Sequence, residues 1–385
     1  MRILGQRPAA SENGGKVESM TETSAGPLST ARPSGAQSLY ERWKEAEGLR
    51  TIRGFFVKNV LDAELTPWTS RGGSAAFINL AGSEGINDSF IHELGPKESS
   101  TPIKHVYDET IYILRGRGAT TVWLDEGKKQ TFEWQTSSLF AIPPNAWYQH
   151  FNLSGTEPAR YYGMTSAPLL MDAMRSLDFV FNNPYVFADR FNGEDDYFKQ
   201  TERVPDGGYH TNFVADVLGC SIMAGTAGYD DSRGPGARGT RFNLVNSTRR
   251  NHASSWPIGS YKMAHRHGPG INILILRGQG YSIWWLPGQP VERIDWGPGS
   301  VVVPGEGWYH QHFNASPEPV LFLAIGSGNE RPRAGGGSWA ASGSGEDQIE
   351  FEDEDPAIHR EFETELARNG VKCTMGDVHP LCTAR

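Results

Sequence analysis

The sequence has only three cysteines in 385 residues, Cys220, Cys373 and Cys382. An odd, sparse set is no disulfide framework, which excludes a stapled secreted scaffold and leaves the cytoplasm as the expected compartment. Hydrophobic residues are scarce at 38%, and no run of 18 apolar residues occurs, so no membrane-spanning helix is expected. The stretch from Met1 to Ala36 lacks the apolar core of a signal peptide. Basic residues are also short, 36 Lys and Arg against 45 Asp and Glu. The net charge of −9 argues against nucleic acid or an anionic membrane as the main partner and leaves a small molecule. What is abundant is glycine, 45 residues, and proline, 24. Such a composition suits a turn-rich β protein with unstructured ends.

Along the chain, residues 1–38 are rich in Ser, Gly, Ala, Thr and Pro and predict a disordered tail, because they bury too little surface to offset ordering. The run Ser38 to Arg50 predicts an amphipathic helix with Leu39, Trp43 and Ala46 on one side. Leu169, Leu170, Met174 and Leu177 recur at helical spacing, so the linker 168–239 is expected to be partly helical. Residues 230–240 read as an exposed loop. After a Gly/Ser-rich stretch, Arg331 to Gly345, and the acidic run Glu350 to Asp355, the residues Ile358, Phe362 and Leu366 predict a short helix over 357–369. Cys373, His379 and Cys382 fit no common zinc spacing and read as a loose tail carrying two thiols.

An internal repeat organises the rest. Ile111-Tyr-Ile-Leu-Arg-Gly-Arg-Gly118 matches Ile273-Leu-Ile-Leu-Arg-Gly-Gln-Gly280. Trp134 matches Trp296, Ser138 matches Ser300, and Gln149-His-Phe-Asn152 matches Gln311-His-Phe-Asn314, each pair 162 residues apart. Each copy consists of short apolar or alternating runs broken by Gly and Pro turns, the pattern of antiparallel barrels or jelly rolls. The expected fold class is all-β, two tandem barrels, one within 39–167 and the other over 240–328, followed by the segment 329–385.

Six of the eleven histidines lie in the repeated blocks: His105, His150, His265, His267, His310 and His312. Any one alone would read as a hydrogen-bonded core or surface residue. His265 and His267, two apart on a strand, face the same way, and His310 returns from a neighbouring strand. Three neutral imidazoles converging from two strands suit a divalent transition metal. His312, matched by His150, reads either as part of the pocket or as a structural feature of both barrels.

These blocks resemble the two motifs of the cupin family. Gly259, His265, His267 and Gly278 fill the first motif, and Gly307, His310 and Asn314 fill the second, with Pro304 one place early. Ile271 stands where cupins carry a glutamate, with Asn272 beside it as a weaker polar substitute. The resemblance implies two double-stranded β-helix (jelly-roll) cupin domains. A three-histidine set without the glutamate is similar to gentisate 1,2-dioxygenase and its relatives acting on salicylate and hydroxynaphthoate, although in the gentisate enzymes the catalytic barrel is the first. By the repeat register Ile103 and Tyr148 replace two histidines in barrel one, leaving His105, Glu109 and His150 as a vestigial site.

The resemblance implies iron(II), with manganese, nickel or zinc as other divalent ions, and O2 with a small substrate. The expected activity is a ring-cleaving type of dioxygenase acting on an aromatic or enolic hydroxy acid. The alternatives are a metal-dependent lyase or isomerase and a non-catalytic ligand-binding bicupin. Arg277, Asn272, Trp285, Trp308 and His312 are the candidates for substrate contact, with Arg266 and the Arg249–Arg250 pair as further carboxylate partners. Arg277 also has a plainer reading, a turn salt bridge shared with Arg115. A homo-oligomer is expected by family resemblance.

Overall fold

A computed structural model describes residues 37–83, 85–125, 127–203, 208–220, 238–244, 247, 249–327 and 347–382. The expected tail over 1–36, the loop over 230–237 and the polar stretch over 331–345 lie outside the described residues. The fold is all-β with short helices. Four sheets form two jelly-roll barrels in tandem. In barrel one, Asp88–Leu94, Ala159–Thr165, Glu109–Arg115 and Leu139–Ile142 lie side by side in an eight-stranded sheet. It faces a three-stranded sheet of Trp147–Asn152, Arg117–Trp123 and Gln130–Gln135. In barrel two, Arg249–Trp256, Val320–Ser327, Ile271–Arg277 and Val301–Val302 repeat that order, opposite a six-stranded sheet. The register of the sequence repeat is therefore a register of strands.

The barrels exchange arms. Phe56–Val57, which precedes barrel one, pairs antiparallel with Val301–Val302 of barrel two. Phe213–Val214, which precedes barrel two, pairs with Leu139–Ile142 of barrel one. Pairing between strands this far apart in sequence leaves no local mark in the sequence. The segment 168–239 is partly helical, as expected, but it also contributes the strands Thr201–Arg203, Tyr209–Thr211 and Phe213–Val214.

Strand alternation sorts the core into layers. In Ile271–Arg277, Ile273 and Ile275 point into barrel two, among Trp256, Trp284 and Phe322. Leu274 points the other way, into an apolar layer shared with Ile91, Tyr112 and Tyr162 of barrel one. The two large sheets therefore stack back to back, and each barrel keeps its own interior.

Helix α1 (Leu39–Glu47) starts at Ser38, whose hydroxyl accepts from the Glu41 amide, and stops at Gly48 in a left-handed conformation. Its buried face carries Tyr40 and Trp43 into the core of barrel one, along with α2 (Ala167–Met174) and α3 (Leu177–Asn182). Helix α4 (Pro356–Arg368) begins on the Asp355 cap and buries Phe362 and Leu366 against the outer face of barrel two. Each of these two side chains contributes roughly 1.5–3 kcal/mol of burial. Residues 347–382 are therefore packed on the barrel rather than forming a loose tail. Their strand Gln348–Ile349 extends the small sheet beside Ala264–His265.

Candidate metal centre

His265 lies on the two-residue strand Ala264–His265 and pairs directly with His310 on the strand Tyr309–Asn314. His267 lies beyond the end of the strand Ala264–His265, not on it as the spacing suggested, and its carbonyl accepts from the Gly307 amide. All three imidazoles are buried. Their ring centroids are 4.4 Å (His265–His310), 4.7 Å (His267–His310) and 5.9 Å (His265–His267) apart. One nitrogen from each lies within 4.8 Å of the other two.

Each ring is also anchored in the same way. His265 Nδ1 faces the Met263 carbonyl at 3.0 Å, His267 Nδ1 the Gly268 carbonyl at 2.8 Å, and His310 Nδ1 the Trp308 carbonyl at 3.1 Å. A carbonyl only accepts, so each Nδ1 carries the proton and each Nε2 the lone pair. That is the tautomer a metal ligand needs, set by the backbone. Burial, convergence and tautomer all fit a divalent transition metal held by nitrogen donors.

The surroundings depart from expectation in four places. Asn272 does not face the histidines. Its amide donates to Ser89 Oγ (3.2 Å) and Tyr162 Oη (2.6 Å) of barrel one, because its parity on the strand aims it at the inter-barrel layer. Trp284, not Trp285, points inward. It sits opposite His310, fully buried, with Phe55 at 6.2 Å, whereas Trp285 stacks on Tyr309 outside. Arg277 lies at the far end of its strand, about 20 Å from the start nearest His267. Its repeat partner Arg115 is ion-paired to Glu93 at 2.5 Å. Arg266 turns outward to Asp347 at 3.0 Å and the Tyr309 ring. The side chains of Arg249 and Arg250 lie outside the described residues.

Trp308 is half-buried and 5.3 Å from Phe55. Phe55 belongs to the exchanged arm, so no local signal could have placed it beside Trp284. His312 lies inside the barrel, 5.4 Å from His310. Its Nδ1 meets Ser282 Oγ at 2.7 Å, and that oxygen accepts from Trp296 Nε1 at 2.8 Å. His150, Thr120 and Trp134 reproduce this relay in barrel one at 2.7 and 2.9 Å. The relay is thus a structural feature of both barrels.

In barrel one, Ile103 bridges Tyr148 where His265 pairs His310. His105 Nε2 lies 3.0 Å from Tyr148 Oη, and that hydroxyl donates to Glu109 at 3.0 Å. Arg71, which sequence reasoning missed, brings a buried guanidinium to 3.6 Å from Glu109 and donates to Tyr107 at 2.6 Å. Burial alone would push the Glu109 carboxyl up; His105 and Arg71 override it and hold it near 2. Among the described residues, His105, Glu109 and His150 form no group that could share an ion. Arg71 instead supplies the positive charge facing Glu109.

No family model matches the sequence, and no curated protein matches it. Solved structures of oxalate decarboxylase resemble the chain. A deletion mutant from Bacillus subtilis is 14% identical, with 71% of this chain and 76% of that chain covered and a TM-score of 0.45. The Lactobacillus farciminis enzyme in a formate complex is 12% identical, with 71% and 86% covered and a TM-score of 0.45. A Bacillus subtilis structure whose description concerns Mn(II) centres is 14% identical, with 72% and 78% covered and a TM-score of 0.46.

Proposed function

We propose that barrel two holds a divalent transition metal on His265, His267 and His310 and uses it to cleave a carbon–carbon bond in a small chelating acid. The observation that carries this is the threefold anchoring of Nδ1 on backbone carbonyls, which turns three Nε2 lone pairs toward one place. A divalent ion there supplies Lewis acidity, coordination positions beyond the three imidazoles and, for iron(II), one-electron chemistry. Among the described residues no carboxylate joins the ligand set, so the site keeps its full positive charge and attracts an anionic acid. Trp284, Trp308 and Phe55, tilted against one another, would offer an apolar aromatic face to an aromatic or enolic substrate.

The oxidative form, in which O2 is consumed and both its atoms enter the product, follows from the neutral ligand set. The redox-neutral form, in which a carboxylate leaves as CO2 and a proton replaces it, uses the same metal and substrate class. The solved structures that resemble the chain are described as oxalate decarboxylases, so this form is tested alongside. Protein loaded anaerobically with iron(II) or manganese(II) is given phenolic and enolic hydroxy acids and oxalate, and O2 uptake and CO2 release are followed together. O2 uptake matched to product identifies the dioxygenase; CO2 release in excess of O2 uptake identifies the lyase. Metal loading with neither leaves a ligand-binding barrel and overturns the catalytic reading.

A further inference from the structure

The C-terminal segment brings together four metal-ligating side chains that barrel two does not use. His359 and Glu363 lie one turn apart on α4, with His359 Nε2 3.5 Å from a Glu363 oxygen. Cys373 and Cys382 are free thiols whose sulfurs stand 2.9 Å apart. One ligand atom from each of the four lies within 4.8 Å of the others. The edges of a tetrahedral zinc site, set by Zn–S of about 2.3 Å and Zn–N or Zn–O of about 2.0 Å, are roughly 3.3–3.8 Å. Small side-chain movements close the difference.

His359 is prepared for this role. It is fully buried, and its Nε2 has no hydrogen-bond partner among the described residues. Its Nδ1 lies 3.0 Å from Tyr261 Oη, and Tyr261 spends its only proton on Glu354 at 2.7 Å. Nδ1 is therefore the donor, and the lone pair sits on Nε2, aimed at the cluster. Glu354 accepts from His379 Nε2 and Gln311 Nε2 as well, at 3.2 and 2.6 Å. His379 stacks on His359 with ring centroids 3.8 Å apart, and its other nitrogen accepts from the Leu381 amide. The chain Glu354–Tyr261–His359 is the outer-shell support that ligating histidines carry.

We propose that His359, Glu363, Cys373 and Cys382 bind a structural zinc ion that fastens the C-terminal segment onto barrel two. Two sulfurs, one imidazole and one carboxylate select zinc, and four protein ligands leave no open position. Binding releases the two thiol protons to solvent. The staple reaches the candidate metal centre through two contacts. Gln311, between His310 and His312, donates to Glu354, and Gln348 pairs with His265. The turn that carries Cys373 also leans on Gly259. There a side chain would meet the Lys372 carbonyl at 2.1 Å, and the Thr374 amide donates to the Gly259 carbonyl.

The test is zinc content by plasma mass spectrometry on the full chain, purified with reductant, loaded with Zn2+ and desalted. One firmly held zinc per chain is expected to survive in the H265A/H310A variant and to be lost when C373S/C382S is added to that variant. Loading the wild-type chain with Co2+ keeps the answer independent of whether that variant folds. Thiolate-to-cobalt bands in the near ultraviolet, present also in H265A/H310A, support the site. Zinc retained by the H265A/H310A/C373S/C382S variant, cobalt without thiolate bands, or a Cys373–Cys382 disulfide in the reduced preparation overturns it. Because the two centres use separate ligands, loss of the barrel-two metal leaves this result unchanged.

Discussion

At the scale of single residues, the centre depends on hydrogen bonds that fix tautomers. His265→Ala or His310→Ala should take the barrel-two metal from near one per chain to near zero, with circular dichroism unchanged. His105→Ala should leave that metal in place. Metal analysis of the three variants in the C373S/C382S background, or after subtracting zinc, checks both statements. Two histidines of barrel one make a second prediction. Burial depresses His92 to about 4 and His150 to about 3. Both lie below the unfolded value of about 6.5, so the unfolded chain binds the extra protons. The stability they contribute is complete above about pH 6.5 and is lost as pH falls toward their folded values. The loss by pH 4.5 is on the order of 2–3 kcal/mol per histidine. Urea midpoints should fall steeply between pH 7 and 4.5, and less steeply in His150→Gln; a flat profile contradicts the assignment.

At the scale of elements, the phase of one strand decides which residues serve the site. Asn272→Ala should cost about 1–3 kcal/mol, because Tyr162 and Ser89 lose a buried partner, while metal content stays the same. Metal loss in that variant would return Asn272 to the centre. Gly280 is a second such position. A side chain there would meet the Phe313 carbonyl at 2.1 Å and the Trp296 ring at 2.5 Å, so Gly280→Ala should lower the melting temperature by several degrees. The His-x-His pair, the returning histidine and the repeat were all legible in the sequence as spacings, although the strand ends at His265, and His267 reaches the cluster from the segment after it rather than by strand alternation. Whether Trp284 or Trp285 faces inward was not legible. Parity distinguishes the two residues but does not say which face is the interior. Phe55, Arg71 and Glu354 were invisible for a different reason: each reaches its partners from an element distant in sequence.

At the scale of the whole molecule, the exchanged arms and the apolar layer between the large sheets tie the barrels together. The described chain should therefore unfold in one calorimetric transition although it holds two barrels. Two well-separated transitions would show that the arms contribute little. The segments that looked like linker and tail carry strands that complete neighbouring sheets. In barrel one, Arg71 faces Glu109 and donates to Tyr148, so the interior charge is satisfied without an ion.

The most direct test of the account is anomalous diffraction from crystals of metal-loaded protein, with data on both sides of the metal's absorption edge. The account predicts a peak inside barrel two, about 2.0–2.2 Å from Nε2 of His265, His267 and His310. A barrel two with no peak, or a peak bound instead beside His105 and Glu109, would contradict it.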